Sequence, residues 1–454
     1  EPPAPAKNPF RTHGPYLSDR DGALYRNIFH EQAQANWTKA DDLINELTDY
    51  RLRGHVLYQR YMHPTQYVTS FEELETWLTL YHDHPNASKI YKLALAKMPK
   101  NYKGPLQKPS ATTSRVGTHS FLLDIAPIYR SKKKRSNADI KQISKLTSMI
   151  SRKVAAGSPT GAMSILNTPV NANLLDTVEY DQLLAHIARG YMTAGKLNMA
   201  QRLAMQAAER SGQYAPMAGW VGGLVAWRLG DYKEAAKLFE STADSDYVSS
   251  WTRSAAAYWA SRSHMRAGNR SHVSKWLKVA ANNPRTFYGL IATKALGWDY
   301  DFDWDMPRFT EDSQKLLLGE AAGLRATALI QARQYHLAEE ELRSLMTTPD
   351  YRDAIIAYSH SEDLPSLSMR IAESTLNKNN RIYDAAHYPI SPWTPANGFV
   401  VDRALINAFI RQESRFRPYA LNRRSGAAGL MQLMPRTAQY IARKGHLTST
   451  PPDS

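Results

Sequence analysis

The sequence predicts an all-α protein in which a helical-repeat superhelix makes up most of the chain. Apolar residues recur at three- and four-residue spacing in one segment after another, which is the pattern of amphipathic helices. There is no convincing alternating strand pattern between residues 31 and 385. Between about Leu174 and Gly297 the sequence also repeats itself weakly, which is typical of stacked helix pairs.

Length and composition limit the possible classes of protein. A chain of 454 residues is too long for one hydrophobic core, so we expect two or three domains or a repeat array. No run of about 18 apolar residues is present, which argues against a transmembrane segment. The lack of cysteine excludes disulfides, thiolate metal sites and cysteine nucleophiles, and we predict neither a metal nor a cofactor.

The formal net charge of +15 favours an anionic partner. Nucleic acid, an acidic membrane surface and a carboxylate-bearing cell-wall polymer would all fit this charge. The sequence shows no nucleic-acid-binding module, so we do not expect nucleic acid as a partner. The compact basic run at residues 130–135 is interpreted as a solvated loop.

Residues 1–30 are predicted to form an extended N-terminal arm, because five prolines precede any sustained apolar period. The chain begins without an initiator Met and without the apolar core of a secretory signal. It therefore reads like a mature or trimmed form in which the signal peptide is absent, which is compatible with export.

Residues 31–385 are predicted to form the α-superhelical scaffold. Helical patterns follow one another over 41–50, 71–81 and 86–97, and a stretch rich in Pro, Gly, Ser and Thr at 99–118 interrupts them. This scaffold is clearest over residues 174–297, where the helix pairs repeat.

Three helix-turn-helix units align on Gly195, Gly230 and Gly268, which lie 35 and 38 residues apart. This period is close to the roughly 34 residues of tetratricopeptide-like helix pairs, which bury their apolar faces by stacking on neighbours. A degenerate fourth copy is predicted over residues 326–345. We expect a curved superhelix, either open or closed into a ring.

Large aromatic residues recur at helical spacing within the repeats. We interpret them as core between helices, and a surface that stacks on sugar rings is the alternative. The residues are Trp220, Trp227, Trp251, Tyr258, Trp259 and Trp276.

A linker is predicted at residues 386–400, where three prolines and a glycine fall within a dozen residues. Residues 401–454 would then form a second domain. Asp402 is a candidate N-cap for a helix that runs to about Ser414. Apolar residues cover most of the circumference of this helix, so we expect it to be buried.

Glu413 lies at the end of this helix and is the candidate catalytic residue. Leu405, Phe409 and Glu413 follow one another at four-residue spacing, so the carboxylate shares a face with two apolar side chains. Burial and the negative end of the helix dipole both disfavour an ionised carboxylate, which suits a general acid at neutral pH. An ion pair with a neighbouring arginine is the competing interpretation.

The C-terminal segment offers no obvious second carboxylate near Glu413. From Val401 to Ser454 the acids are Asp402, Glu413 and Asp453. A two-acid glycosidase scheme would therefore need a partner from elsewhere, or one residue would do both jobs.

Gly426 and Gly429 bracket a turn of small residues that lets the backbone approach closely. Pro435 suits the first position of a following helix that ends near Gly445. Between them, Gln432 could bind a sugar hydroxyl or acetamide, although an isolated buried Gln is more often satisfied by the backbone.

The segments Arg411-Gln-Glu-Ser-Arg-Phe-Arg-Pro and Gly426-Ala-Ala-Gly-Leu-Met-Gln-Leu-Met-Pro-Arg-Thr-Ala closely resemble two motifs of lytic murein transglycosylases. With the helical array before them, they resemble the large soluble members of that family. The resemblance implies that residues 401–454 are the N-terminal part of a lysozyme-like, mainly α catalytic domain.

The resemblance also implies roles for single residues. Glu413 would be the catalytic acid and base, and Ser414, Gln432 and Met434 would contact substrate. Glu413 would protonate the oxygen between MurNAc and GlcNAc, the MurNAc acetamide would assist, and Glu413 would then deprotonate the 6-hydroxyl to give a 1,6-anhydro end. Peptidoglycan strands would be the partner, with other cell-wall enzymes as further candidates, and the location would be periplasmic.

Two departures from the family pattern shape the alternatives. The Leu421–Ser425 stretch carries one extra residue, so either Asn422 or Ser425 matches a serine that the family commonly has there. The chain also ends before the family's third motif, so we expect an incomplete domain with little turnover. The alternatives are a helical scaffold or glycan-binding protein with an inactive catalytic remnant, and a two-carboxylate hydrolase.

Overall fold

The computed structural model describes residues 16–110, 126–346, 348–373, 376, 381–395 and 398–445. Helices dominate this part of the chain and no strand occurs among the described residues, so the predicted all-α class is confirmed. Isolated β-bridges pair Ala428 with Leu421 and with Leu433. None of the described helices combines the length and the apolar character that crossing a membrane requires.

The chain divides into two compact units, which are Glu1–Phe121 with Asp303–Ser454 (unit 1) and Leu122–Phe302 (unit 2). In unit 1 the helices are α1 (Asp19–Ala33), α2 (Trp37–Asn45), α3 (Arg53–Tyr61), α4 (Phe71–Tyr81) and α5 (Ala87–Lys97). Unit 2 contains α6 (Asn137–Ala155), α7 (Pro159–Leu166), α8 (Pro169–Leu174), α9 (Thr177–Thr193), α10 (Leu197–Ser211), α11 (Pro216–Leu229), α12 (Tyr232–Asp244), α13 (Ser250–Arg266), α14 (Arg270–Ala281) and α15 (Phe287–Ala295).

Unit 1 continues with α16 (Glu311–Leu318), α17 (Ala321–Gln331), α18 (Tyr335–Ser344), α19 (Pro349–Ser361), α20 (Pro365–Ala372), α21 (Asp384–His387), α22 (Arg403–Glu413) and α23 (Pro435–Gly445). The predicted boundaries of scaffold, linker and C-terminal domain stay predictions, as does closure into a ring.

Unit 2 contains the predicted repeat. Gly195, Gly230 and Gly268 each lie between the two helices of a pair, with φ of 74°, 82° and 79°. Glycine adopts this left-handed conformation without a steric penalty. The polypeptide can therefore reverse direction within two or three residues at each of these turns. The predicted turns are therefore confirmed. Alanines and leucines fill the interfaces between successive helices.

The fourth, degenerate copy is also a helix pair, α17 and α18, and it lies in unit 1. Here Arg333 takes the left-handed position, with φ of 59°, although it is not a glycine. A side chain in this conformation costs about 1 kcal/mol or more. Burial of Ala326, Leu329 and Leu342 in the core of unit 1 stabilises the pair in spite of this cost.

The aromatic residues of the repeat belong mainly to the core, as interpreted. Trp276 is buried, and Trp220, Trp227, Tyr258 and Trp259 pack partly buried against the same cluster. Trp251 differs, because half of its surface is exposed.

The predicted extended arm over residues 1–30 is wrong for its described part. Asp19–Ala33 is a helix, and the Ser18 side chain caps it by accepting a hydrogen bond from the Asp21 amide. Leu24, Tyr25, Ile28 and Phe29 are buried in the core of unit 1. The prolines that suggested an arm lie at or before residue 15, which is outside the described part of the chain. No proline occurs within the sequence of α1.

Helix α20 supports the C-terminal segment of unit 1. Met369 from α20 forms a small cluster with Ile410 and Phe416, and Ile406 and Leu430 pack against it. This cluster joins the end of α22 and the turn that precedes α23 to the helical part of the same unit.

Candidate active site

Helix α22 positions Glu413. The Asp402 side chain accepts hydrogen bonds from the amides of Ala404 (2.7 Å) and Leu405 (3.2 Å), so the predicted N-cap is confirmed. The helix ends at Glu413, where Ser414 is the C-cap. Glu413 therefore lies at the C-terminal end of a well-capped helix.

The expected burial of α22 is wrong. Ile410 is buried in the cluster with Met369, but Leu405 and Phe409 are each 50% exposed and Glu413 is exposed. The reason is that α20 covers the side of α22 that carries Ile410. The face shared by Leu405, Phe409 and Glu413 is accessible to a ligand.

The competing ion pair of Glu413 is not formed, because the three nearby arginines have other partners. Arg411 Nε donates to the His387 carbonyl oxygen (3.0 Å), and its guanidinium lies over the Tyr388 ring. Arg417 Nε donates to the carbonyl oxygen of Ser414 (3.0 Å). Arg415 forms an ion pair with Glu373. No described residue makes a hydrogen bond or an ion pair with the Glu413 carboxylate.

Ser414 is completely buried, and its Oγ donates to the Ile410 carbonyl oxygen (3.1 Å). The next two residues, Arg415 and Phe416, have φ of 56° and 60°. Two successive left-handed residues turn the chain sharply away from the helix axis. Ser414 therefore fixes the end of α22, and its predicted contact with substrate stays a prediction.

The glycine-bracketed turn forms as predicted. Gly426 and Gly429 have φ of 75° and 77°. Ala428 and Leu433 exchange backbone hydrogen bonds of 3.1 and 3.0 Å. Pro435 begins α23, which ends at Gly445. The turn is a compact, hydrogen-bonded structure.

Asn422 holds the Leu421–Ser425 stretch, where the predicted extra residue stays a prediction. Its Oδ1 accepts hydrogen bonds from the amides of Arg424 (3.1 Å) and Ser425 (3.2 Å). Ser425 Oγ in turn accepts from the Ala427 amide (3.3 Å). Both candidate counterparts of the family serine therefore hold the backbone of this loop.

Gln432 supports the turn with its side chain. Its Nε2 donates to the carbonyl oxygens of Ala420 (2.9 Å) and Gly429 (3.1 Å), and its φ is 49°. This is the backbone-satisfied alternative that the sequence left open. Within the described part of the chain its Oε1 accepts no hydrogen bond, so the acceptor is free for a ligand. Met434 follows with an exposed side chain.

Within the described C-terminal residues 398–445, Asp402 is the only acid besides Glu413. Asp402 lies at the other end of α22, about 16 Å away at roughly 1.5 Å per residue. The two carboxyl groups of glycosidases lie about 5–9.5 Å apart. Glu373 is engaged by Arg415, and Asp453 is outside the described residues.

A cluster with metal-ligand chemistry exists elsewhere in unit 1. The side chains of His55, His84 and Glu341 are buried, and their ligand atoms lie within 4.8 Å of one another. His55 Nε2 is 2.7 Å from Glu341 Oε1, and His84 Nε2 is 2.8 Å from His55 Nδ1. Arg325 already neutralises Glu341 through Nε (2.6 Å) and Nη2 (3.0 Å). These residues form a saturated hydrogen-bond chain rather than an open metal site.

Sequence reasoning missed Glu373. It lies forty residues before Glu413 and outside the motifs. No local pattern could indicate that the chain brings it to Arg415, because that contact depends on how α20 packs against α22.

Comparisons with known proteins concern the C-terminal segment and the fold. Residues 394–453 match the family model of the Transglycosylase SLT domain. No curated protein matches the sequence significantly. Among solved structures, the chain is similar to the 70 kDa soluble lytic transglycosylase of Escherichia coli (13% identity, TM-score 0.51), covering 96% of this chain and 83% of that one.

It is also similar to the lytic transglycosylase Slt of Pseudomonas aeruginosa, an inactive mutant, with 16% identity and a TM-score of 0.53. That match covers 94% of this chain and 83% of the other. At these identities the likeness describes the fold, and residues 394–453 supply the match to the family.

Proposed function

We propose that this chain, which carries a transglycosylase SLT domain on the fold of the soluble lytic transglycosylases, cleaves peptidoglycan between MurNAc and GlcNAc. The observation that carries the proposal is a single accessible carboxylate, Glu413, that three neighbouring arginines leave unpaired. The proposed location is the periplasm, where this polymer lies.

The chemistry uses Glu413 twice. As a general acid it gives its proton to the glycosidic oxygen while the bond from MurNAc C1 to that oxygen breaks. The MurNAc acetamide oxygen bonds to C1 and holds the developing positive charge. Glu413 then removes the proton of the 6-hydroxyl, whose oxygen attacks C1 and expels the acetamide. The product is a 1,6-anhydro end, and no water is consumed.

Side chains of both motifs suit contact with a sugar. Leu405 and Phe409 offer an exposed apolar face on α22, and sugars present apolar C–H faces. The free Oε1 of Gln432 can accept a hydrogen bond from an acetamide N–H or a hydroxyl. The exposed Met434 adds an adaptable apolar contact.

The test uses murein sacculi incubated with the 454-residue chain and with a Glu413→Gln variant. Mass spectrometry of the released sugars separates the mechanisms, because a hydrolysed end is heavier than an anhydro end by one water. We expect anhydro ends from the parent chain, even at low turnover, and a loss of about 100-fold or more in the variant.

The outcomes separate the alternatives. Undiminished activity of the Glu413→Gln variant, with unchanged circular dichroism, would contradict the role of Glu413. Hydrolysed ends would indicate a two-carboxylate hydrolase. Binding to sacculi without any product from either protein would favour a scaffold or glycan-binding protein.

A further inference from the structure

A groove lies between α15 and the segment that follows it in unit 2. It has a volume of about 410 Å³ and is lined mainly by apolar side chains, with Phe287, Leu290, Ile291, Lys294, Ala295 and Tyr300 around it. This volume is within the range of small-ligand sites, which is about 300–1,000 Å³. The groove is widely open to solvent, so a segment of a long polymer can enter it.

Two aromatic rings of this groove keep much of their surface exposed. Phe287 is 59% and Tyr300 is 44% exposed. Phe287 is the first residue of α15, and the Thr286 side chain caps this helix by accepting a hydrogen bond from the Gly289 amide (3.0 Å). Tyr300 Oη donates to the Leu290 carbonyl oxygen (3.3 Å), which ties the following segment to α15. Both rings are therefore held in place without being buried.

Exposed rings held in this way suit a ligand with a flat apolar face. Large apolar side chains that are exposed together on a protein surface mark grooves for ligands or partners. A sugar ring has such a face, which its C–H bonds form, and an aromatic ring can pack flat against it. A peptide with an apolar side chain would meet the same rings, so the charge of the groove decides between the two.

Lys294 gives the groove a positive charge. Its side chain is exposed, and within the described part of the chain its ammonium has no acidic partner. Helices α13, α14 and α15 pack on one another and contain seven Lys and Arg but no Asp or Glu. The next acids in the sequence, Asp299 and Asp301, alternate with the rings of Tyr300 and Phe302. A ligand that carries carboxylates is therefore favoured over a neutral apolar peptide.

A second copy of this chain is disfavoured as the occupant. A symmetric contact through the groove would bring Lys294 and the cations of the neighbouring helices toward the same cations of the other copy. Like charges that meet across an interface oppose association. A glycan with carboxylates supplies both the apolar ring face and the opposite charge.

We propose that this groove is a second, non-catalytic binding site for the glycan strand. A sugar ring packs against the exposed rings of Phe287 and Tyr300, and a carboxylate such as that of the MurNAc lactyl group pairs with Lys294. The proposal rests on the proposed function for the identity of the polymer. It implies two separable contributions to affinity, one from the rings and one from the charge.

The test follows the groove itself, so that binding elsewhere in the protein does not obscure it. The full chain with Glu413→Gln is titrated with glycan strands whose stem peptides have been removed, which leaves one lactyl carboxylate on each MurNAc. Hydrogen exchange of the α15 amides is measured at each strand concentration, and the midpoint of protection gives the affinity of the groove.

We expect Phe287→Ala to weaken this affinity about tenfold, because it removes one of the two rings. Phe287→Tyr keeps a ring at the position and should bind like the parent. Tyr214→Ala removes a ring that is 42% exposed elsewhere in unit 2 and should leave the midpoint unchanged.

Lys294→Gln tests the charge. At low ionic strength it should weaken the binding of strands about three- to fivefold, and the difference should disappear near 1 M salt because ions screen exposed charges. Chito-oligosaccharides of the same length carry no carboxylate. They should bind equally to the parent and to Lys294→Gln, whereas Phe287→Ala should still weaken them.

The outcomes decide between this site and the alternatives. Strands that give α15 no protection, equal losses in Phe287→Ala and Tyr214→Ala, or an effect of Lys294→Gln on chito-oligosaccharides would each overturn the proposal. Protection by an apolar peptide but not by strands would overturn it in favour of a protein partner.

Failure of this site is distinguishable from failure of the proposed function. If Glu413→Gln still forms anhydro ends while strands protect α15 as expected, the proposed function fails and the second site stands. If Glu413→Gln abolishes anhydro ends while α15 stays unprotected, the proposed function stands and the second site fails.

Discussion

At the scale of single residues, the candidate site depends on backbone conformations that few side chains tolerate. Arg415, Phe416 and Gln432 have positive φ without being glycine, and Gly426 and Gly429 share this conformation. Such conformations concentrate where a rigid, unusual geometry is needed. The two glycines allow a matched comparison, because they belong to one turn and differ in the space around them.

We expect Gly426→Ala to loosen the turn more than Gly429→Ala. Either alanine would have a left-handed backbone, at a cost of about 1–2 kcal/mol. A Cβ at Gly426 would also lie 3.2 Å from Pro435 Cγ, whereas one at Gly429 would lie 3.9 Å from the Pro418 carbonyl oxygen. This crowding should add about 1 kcal/mol, which is roughly fivefold in amide exchange.

Hydrogen exchange of the Ala428 and Leu433 amides, which bond across the turn, measures this difference. Equal exchange rates in the two variants would show that the Pro435 ring moves away from the added Cβ without a measurable free-energy cost.

Residue-scale features were predictable where they depend on local geometry. The Asp402 cap, the two glycines and the Pro435 start follow from preferences of neighbouring backbone groups. The exposure of Glu413 and its release from arginines did not follow, because they depend on contacts outside the motif: α20 covers only one side of α22, and His387 and Glu373 engage Arg411 and Arg415. For Gln432, the sequence indicated a polar side chain in an apolar stretch. Its hydrogen-bond partners could be identified only from the folded turn.

At the scale of helices, a buried polar chain ties together elements from the two ends of unit 1. His55 on α3 contacts Glu341 on α18, and His84, from the turn between α4 and α5, contacts His55. The backbone amide of Asn86 donates to His84 Nδ1 (3.0 Å), so His84 Nε2 must donate to His55 Nδ1 and His55 Nε2 to Glu341. Both imidazoles are therefore neutral donors through Nε2.

We expect the hydrogen-bonded residues His84, His55 and Glu341 to make the folded state of unit 1 less stable at acidic pH. Burial lowers the pKa of His55 to about 3, whereas in the unfolded chain it is near 6.5. Below pH 6.5 the unfolded state therefore binds a proton that the folded state does not, and stability falls as pH falls toward 3. At pH 5 this loss is about 2 kcal/mol. Burial raises the pKa of Glu341, which acts in the opposite sense.

Comparison with His55→Gln isolates the histidine, because Glu341 is common to both proteins. Gln can still donate and accept but does not titrate. The difference in the free energy of unfolding between the parent and this variant should decrease by about 2 kcal/mol between pH 7.5 and pH 5. Urea-dependent hydrogen exchange of α3 measures it, and His30→Gln, at an exposed histidine of α1, serves as control. A gap that stays constant would contradict the expected burial of neutral His55.

The helices of the repeat in unit 2 could be predicted better than helix α1. The apolar periodicity and the turn glycines identified the repeat in unit 2, because each pair buries its face on a neighbour of similar sequence. The same reasoning failed for α1, whose apolar face packs against residues from about 317 to 386. The helical spacing of Leu24, Tyr25, Ile28 and Phe29 is present in the sequence, but the preceding prolines favoured an extended arm. The distant segment that this face packs against leaves no local pattern.

At the scale of the whole molecule, the positive charge is unevenly distributed. No Asp or Glu occurs between Asp246 and Asp299, and eight Lys and Arg lie in that stretch, which contains α13, α14 and α15. Arg270, Lys275 and Lys278 are exposed along one side of α14. An anionic polymer would find there a basic surface that no acid on the same helices neutralises.

We therefore expect the triple variant R270Q/K275Q/K278Q to bind murein sacculi more weakly than the parent chain. Electrostatic binding of this kind weakens with salt, because ions screen exposed charges over about 8–10 Å. The difference between the parent and the variant should be clear at low ionic strength and vanish near 1 M salt. Cosedimentation with sacculi measures the bound fraction.

The variant K92Q/K100Q/K103Q removes the same charge from exposed positions in unit 1 and is the matched control. Equal losses in the two variants would show that net charge alone matters. A loss confined to the α14 variant would place the contact on unit 2, about 135 residues or more before Glu413 in the chain, because screening restricts each lysine and arginine to a local effect.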